Sequence, residues 1–296
     1  MATVGVEGAT RRVQRTDGTA THNDTATHNG TATHNDTATH SDTATHSDTA
    51  IHYTVSGPED GPTWVYVHGW GCRGSDFAEV ATFLPATHRV ITVDLPGHGD
   101  SRSARTAWTV QEFARDVAAV ADAESVGRCA VVGHSLGGAV AVELARLRPD
   151  LVTQVIGIDS FHYLGLYPAV EDAAAREMVA SFEDDFPAAV RGLVVMGSVP
   201  DTDPAFGEAI FRKMSSIAPP IGAAALDGLL RWDMDEALAA VRQPVTTLAV
   251  RGLLDPAAVD RYGDRIDFVV HDLGSHHFLV EQPAETAALL LASRVD

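Results

Sequence analysis

From Ile51 onward, short apolar runs alternate with stretches of helical spacing. Residues 51–55 alternate apolar and polar as a half-buried strand does, and Gly57-Pro58 and Gly61-Pro62 then turn the chain. Residues 63–67, 90–93, 130–132 and 155–158 are short β-rich runs, the kind found in strands buried on both faces. Between them, residues 77–84, 110–123 and 136–147 carry helical spacing; Val110, Phe113, Ala114, Val117 and Val120 fall on one face. Strands alternating with helices in this way predict an α/β fold, a parallel sheet with helices on both faces. Right-handed crossovers bring the strand C-termini to one edge, where sites collect.

The alternation breaks at residues 161–242. That stretch holds Pro168, Pro187, Pro200, Pro204, Pro219 and Pro220, with helical patches at 171–182 and 223–232. Strand texture returns at 245–250 and 266–270, and a closing helix with proline in its first turn is predicted at 283–292. The expected organisation is a sheet domain formed by 51–160 and 243–296, with 161–242 inserted as a helical cap.

Residues 21–50 have a different texture. THNDTA, THNGTA, THNDTA, THSDTA and THSDTA follow one another, with His22, His28, His34, His40, His46 and His52 marking the period. Alanine is almost the whole apolar content, so burial cannot offset the entropy of ordering. Residues 1–50 are therefore expected to be a disordered tail. Weak metal binding by the spaced histidines and glycosylation at Asn23, Asn29 and Asn35 are competing readings.

Composition narrows the function. The formal charge is −19, a surface that repels phosphate backbones and anionic lipid. Nucleic acid and membrane are thus not expected partners; a small-molecule substrate is. No apolar run approaches the roughly 20 residues needed to span a bilayer, and no secretory apolar segment follows Met1, which leads to a cytoplasmic expectation. Cys72 and Cys129, the two cysteines, are too few for a disulfide framework and are expected to be packed thiols.

The chemistry centres on Gly133-His134-Ser135-Leu136-Gly137. Its context gives G-x-S-x-G its weight: an apolar run precedes it and a helix follows, the strand–turn–helix of a nucleophile elbow. Glycines are needed where the turn leaves no room for β-carbons. A serine hydroxyl is a poor nucleophile near neutral pH and needs an imidazole in reach, itself oriented by a carboxylate.

The chain resembles the α/β-hydrolase superfamily at several points. His68-Gly69-Trp70-Gly71 looks like its oxyanion loop, Asp94-Leu95-Pro96-Gly97-His98-Gly99-Asp100-Ser101 matches its D-x-P-G-x-G-x-S turn, and Gly252-Leu253-Leu254-Asp255 looks like its acid loop. His276, five residues before Glu281 in an E-x-P segment, sits where its histidine does. The resemblance runs from Ile51 to the C-terminus and is weakest in the insertion.

It implies Ser135 as nucleophile, His276 as base with His277 as its rival, and Asp255 as acid with Asp159 as its rival. The Trp70 and Leu136 N–H groups are expected to hold the oxyanion. His68, Phe161, Tyr163 and Trp232 are the expected substrate-binding side chains. No metal and no cofactor are expected. The expected reaction is hydrolysis of a small, mostly apolar ester or lactone through an acyl-enzyme. C–C bond hydrolysis, acyl transfer or perhydrolysis with the same triad, and a non-catalytic ligand receptor, are the other readings.

Overall fold

The computed structural model describes residues 9–16, 19–21 and 49–295, and seven of the described strands and all the described helices lie downstream of residue 48. The strands are β1 (Ala9–Thr16), β2 (Thr19–Thr21), β3 (Thr49–Ser56), β4 (Thr63–Val67), β5 (Arg89–Val93), β6 (Cys129–His134), β7 (Val152–Ile158), β8 (Val245–Val250) and β9 (Asp267–His271). They form one sheet in the order β2-β1-β3-β5-β4-β6-β7-β8-β9. From β5 to β9 every neighbouring pair is parallel; β1, β2 and β3 add an antiparallel edge.

The expectation of an unstructured stretch over 1–50 is corrected at two places. Ala9–Thr16 pairs antiparallel with Thr49–Val55, and Thr19–Thr21 extends that edge. The body of the hexapeptide repeat, with His22 to His46 and the three asparagine sites, lies outside the described residues.

The central strands are buried along their whole length, as TWVYV and RVITV predict. Side-chain parity sorts them onto two cores. Val65, Val67 and Val131 face the layer containing α2 (Val110–Ala123) and α3 (Leu136–Leu147); Trp64, Tyr66, Ala130 and Val132 face the opposite layer. That layer includes α1 (Ala78–Thr82), α10 (Phe278–Glu281) and α11 (Pro283–Ala292). Thr109 caps α2 by accepting from the Glu112 N–H at 3.2 Å.

Between β7 and β8 stand five helices: α4 (Asp172–Asp184), α5 (Phe186–Met196), α6 (Pro204–Met214), α7 (Pro219–Leu230) and α8 (Met234–Ala240). Sequence periodicity marked two of them. Four of the six prolines that broke the pattern start helices rather than interrupt them: Pro187, Pro204, Pro219 and Pro220 lie in first turns, where a missing N–H costs nothing. A further helix, α9 (Pro256–Tyr262), follows β8. Among the described residues, no helix is long and apolar enough to cross a membrane.

Candidate active site

Ser135 occupies the corner between β6 and α3 with φ 52° and ψ −117°. A non-glycine residue there is strained, and only a tightly packed surround sustains it. The surround is visible at the two flanking glycines. A β-carbon on Gly133 would lie 2.1 Å from the Gly137 carbonyl oxygen, and one on Gly137 would lie 2.1 Å from that of Val67. The Ser135 N–H is tied to the Ile158 carbonyl at 3.1 Å, which fixes the corner to β7.

His276 Nδ1 lies 2.6 Å from Asp159 Oδ2. The expected acid is therefore corrected: Asp159, not Asp255, orients the His276 ring. Asp255 instead caps α9, its Oδ1 accepting from the Ala257 N–H at 2.9 Å. Asp159 directly follows β7 with φ 45° and is fully buried. Four donors converge on its carboxylate: His276 Nδ1 and the Tyr163 hydroxyl (2.5 Å) on Oδ2, His162 Nε2 (2.9 Å) and the Val250 N–H (2.9 Å) on Oδ1. Burial pushes its pKa up, but the hydrogen bonds from His162 and His276 outweigh it and hold the carboxyl well below the usual range. The aspartate therefore stays ionised beside the His276 ring.

The cap supports the same group. The His276 N–H donates to the Gly197 carbonyl at 2.8 Å, at the C-terminal end of α5, and a β-carbon on Gly197 would lie 2.8 Å from His276 Cβ. Trp70 is held likewise. Its indole N–H donates to the Gly222 carbonyl of α7 at 2.9 Å, and its ring packs on Phe182 and Phe186. Neither the Trp70 nor the Leu136 backbone N–H has a loop or turn acceptor on the backbone among the described residues.

Ser135, His276 and Trp70 open on one small cavity of about 60 Å³. Leu166, Leu193, Met196, Met214, Leu226 and Leu229 supply its apolar wall, with Tyr163, His134 and His277 as further polar members. No aspartate, glutamate, lysine or arginine lines it among the described residues.

Of the expected substrate-binding residues, only Tyr163 lines this cavity. The other three are corrections. His68 is buried in the loop: its Nδ1–H donates to the Gly69 carbonyl at 2.7 Å, while Nε2 accepts from the Leu95 N–H at 2.9 Å. Phe161 is buried against Gly138 and Gly157, where a β-carbon would come within 3.0 Å and 2.7 Å of its ring. Trp232 is buried beneath the cap, its indole N–H donating to Glu143 Oε1 at 2.8 Å. Trp232→Phe should therefore leave KM and kcat near wild type. It should cost about 1–3 kcal/mol in urea denaturation, because the buried Glu143 carboxylate loses a donor.

Asp94, in the Pro-Gly turn, has the loop role its position predicts. It accepts from the Gly74 N–H (2.6 Å), the Asp100 N–H (2.9 Å) and His52 Nδ1 (2.9 Å). Chain spacing concealed one cluster: Cys72, His134 and His277, all buried, come together beside the elbow and could hold a metal ion.

The family model for the alpha/beta hydrolase family matches residues 64–289, which include the elbow, Asp159 and His276. The chain belongs to the alpha/beta hydrolase family. It is 32% identical over 229 residues to a pimeloyl-[acyl-carrier protein] methyl ester esterase of Neisseria meningitidis, covering 75% of this chain and 86% of that one. It is 40% identical over 128 residues to a magnesium-chelatase 30 kDa subunit of Rhodobacter capsulatus; the match spans 42% of this chain and under half, 44%, of that relative. Among solved structures, the N-acyl homoserine lactone degrading enzyme Est816 superposes with a TM-score of 0.71 at 25% identity, over 83% of this chain and 97% of that one. This alpha/beta hydrolase is thus an enzyme with esterase-like and lactonase-like relatives.

Proposed function

We propose that this hydrolase cleaves a small, predominantly apolar ester or lactone through an acyl-Ser135 intermediate. The observation that carries the reading is the Asp159–His276 pair at 2.6 Å, opening with Ser135 onto an apolar cavity that has no ionised wall. Ser135 Oγ attacks the carbonyl carbon and gives its proton to His276. Asp159 holds the ring with Nδ1 protonated, leaving Nε2 as the base, and stabilises the imidazolium. The Trp70 and Leu136 N–H groups receive the oxyanion, an interaction worth about 3–4 kcal/mol per donor in comparable sites. His276 then protonates the leaving alkoxide, and water activated by the same ring releases the acid.

The relatives' names support esters and lactones as the class. The wall of leucine and methionine suits a neutral acyl chain, and methionine adapts to varied shapes. The formal charge of −19 disfavours anionic substrates and docking of an acidic carrier protein. A panel of chromogenic esters graded by acyl length, with lactones alongside, tests the class. A fluorophosphonate probe tests the chemistry. Turnover of neutral esters and labelling that vanishes in Ser135→Ala are expected. A folded protein that neither labels nor turns over any member of the panel is a ligand receptor instead.

A further inference from the structure

Of the three imidazoles around Ser135, His276 is engaged by Asp159, while His134 and His277 are not used by the mechanism. His277 is buried and its Nδ1 has no hydrogen-bond partner among the described residues. A buried ring nitrogen without a partner is costly and calls for an explanation. One ring nitrogen of His277, one of His134 and the Cys72 sulfur lie within 4.8 Å of one another.

His134 already has the tautomer a metal ligand needs. Its Nε2 lies 2.9 Å from the His276 carbonyl oxygen and must be the N–H that donates there. Nδ1 therefore keeps its lone pair. Metal-bound histidines usually donate their other N–H to a carbonyl or carboxylate in this way. Nδ1 faces Gly69, where a β-carbon would come within 2.8 Å of it. Gly69 opens the turn that Cys72 closes, with the Cys72 N–H donating to the Gly69 carbonyl at 3.1 Å.

We propose that Cys72, His134 and His277 form a site for a thiophilic divalent ion such as Zn²⁺ or Cd²⁺, and that its occupancy inhibits hydrolysis. Zinc binds sulfur at about 2.3 Å and imidazole nitrogen at about 2.0–2.1 Å, so its tetrahedral ligands stand roughly 3.3–3.7 Å apart. Closing the cluster onto an ion needs movements on the order of 1 Å. On binding, the Cys72 S–H bond breaks, its proton leaves to solvent, and a sulfur–metal bond forms; both imidazoles bind neutral and nothing is oxidised. His134 and His277 line the substrate cavity, which leaves a fourth position turned toward the carbonyl site. Lys213, paired with Asp76 at 2.9 Å, repels positive charge at His134 and His277, and the thiolate formed at Cys72 on binding offsets that repulsion. An ion held by His134 and His277 intrudes into the cavity on which Ser135 and His276 open and takes up space the substrate needs.

The inhibitory half rests on the hydrolase reading; the binding half does not. The full chain is titrated with Cd²⁺, and thiolate-to-Cd²⁺ charge-transfer absorbance and ester turnover are followed together. The band should saturate at one ion per chain, persist in Cys129→Ser and vanish in Cys72→Ser and Cys72→Ala. Turnover should fall with the same midpoint, and Cys72→Ser, with basal turnover close to wild type, should move that midpoint up by roughly tenfold or more. A missing band, or one unchanged in both Cys72 variants, overturns the site. Inhibition with an unshifted midpoint in Cys72→Ser places the inhibiting ion on other histidines and overturns the inhibition, as does a band without inhibition. A wild-type band with no turnover under any condition leaves the site standing and rejects the hydrolase reading.

Discussion

Asp159→Asn should lower kcat by about four orders of magnitude, while Asp255→Asn leaves it near wild type. The amide that replaces Asp159 can turn its NH₂ toward His276 Nδ1. The ring then carries its proton on Nε2, facing Ser135, and cannot accept another. The imidazolium that follows nucleophilic attack also loses its counter-charge in a fully buried position. At Asp255 the side chain faces its own helix, accepting from the Ala257 N–H. Asparagine serves that role almost as well, and Asp255→Ala should cost about 1 kcal/mol of stability with kcat unchanged. Steady-state kinetics on the three variants decide the assignment. A collapse of kcat in Asp255→Asn with activity retained in Asp159→Asn would reverse it.

The two acids show where the sequence stopped informing. Both follow parallel strands, and those strands, β7 and β8, are neighbours in the sheet. Their C-terminal ends lie side by side, and either acid satisfies the chain order serine, aspartate, histidine. The family-like loop drew attention to Asp255. A local signal at Asp159 was nonetheless present: His162 and Tyr163, three and four residues on, are two of its four donors. A carboxylate that must remain ionised while buried needs such donors, and Asp255 has only its helix.

The elbow was legible for a related reason. Apolar run, glycines and helix are each required locally, and the clashes at Gly133 and Gly137 show the requirement is steric. The cap was legible only as a break in pattern. Its helices pack on one another and on α2 and α3 through differing faces, so their periodicity is blurred. Tyr163 and Trp232 illustrate the limit: one aromatic lines the cavity and the other lies beneath it, a distinction of tertiary position that composition does not carry. Cys72, His134 and His277 were likewise far apart in sequence and meet only because the oxyanion loop, the elbow and the histidine loop share one sheet edge.

Acid should destabilise this fold well before its carboxylates titrate. His98 is buried, packed 5.1 Å from the His68 ring and 6.3 Å from that of Phe113, and its Nε2 has no partner among the described residues. Burial, with added repulsion from His68 and Arg105, pushes its pKa from 6.5 down to about 3; the Pro96 carbonyl and Asp94 pull the other way but lose. The unfolded chain therefore binds a proton below pH 6.5 that the folded chain refuses. Stability from this group is complete above pH 6.5 and is lost as pH falls toward 3, at about 1.4 kcal/mol per pH unit. His68, its pKa also lowered by burial, adds to the slope. Asp94 acts in a later window: despite its burial, the hydrogen bond from His52, the charge of His68 and the Asp100 and Gly74 N–H groups hold it at about 2, so its contribution is lost between about 3.8 and 2. From pH 7 to pH 4.5 the His98 contribution alone should fall by roughly 2–3 kcal/mol. In His98→Phe, which keeps a ring against Phe113 and carries no proton, that part of the decline should disappear. Urea denaturation at the two pH values measures it; parallel losses in wild type and variant would show that His98 is not the group refusing the proton.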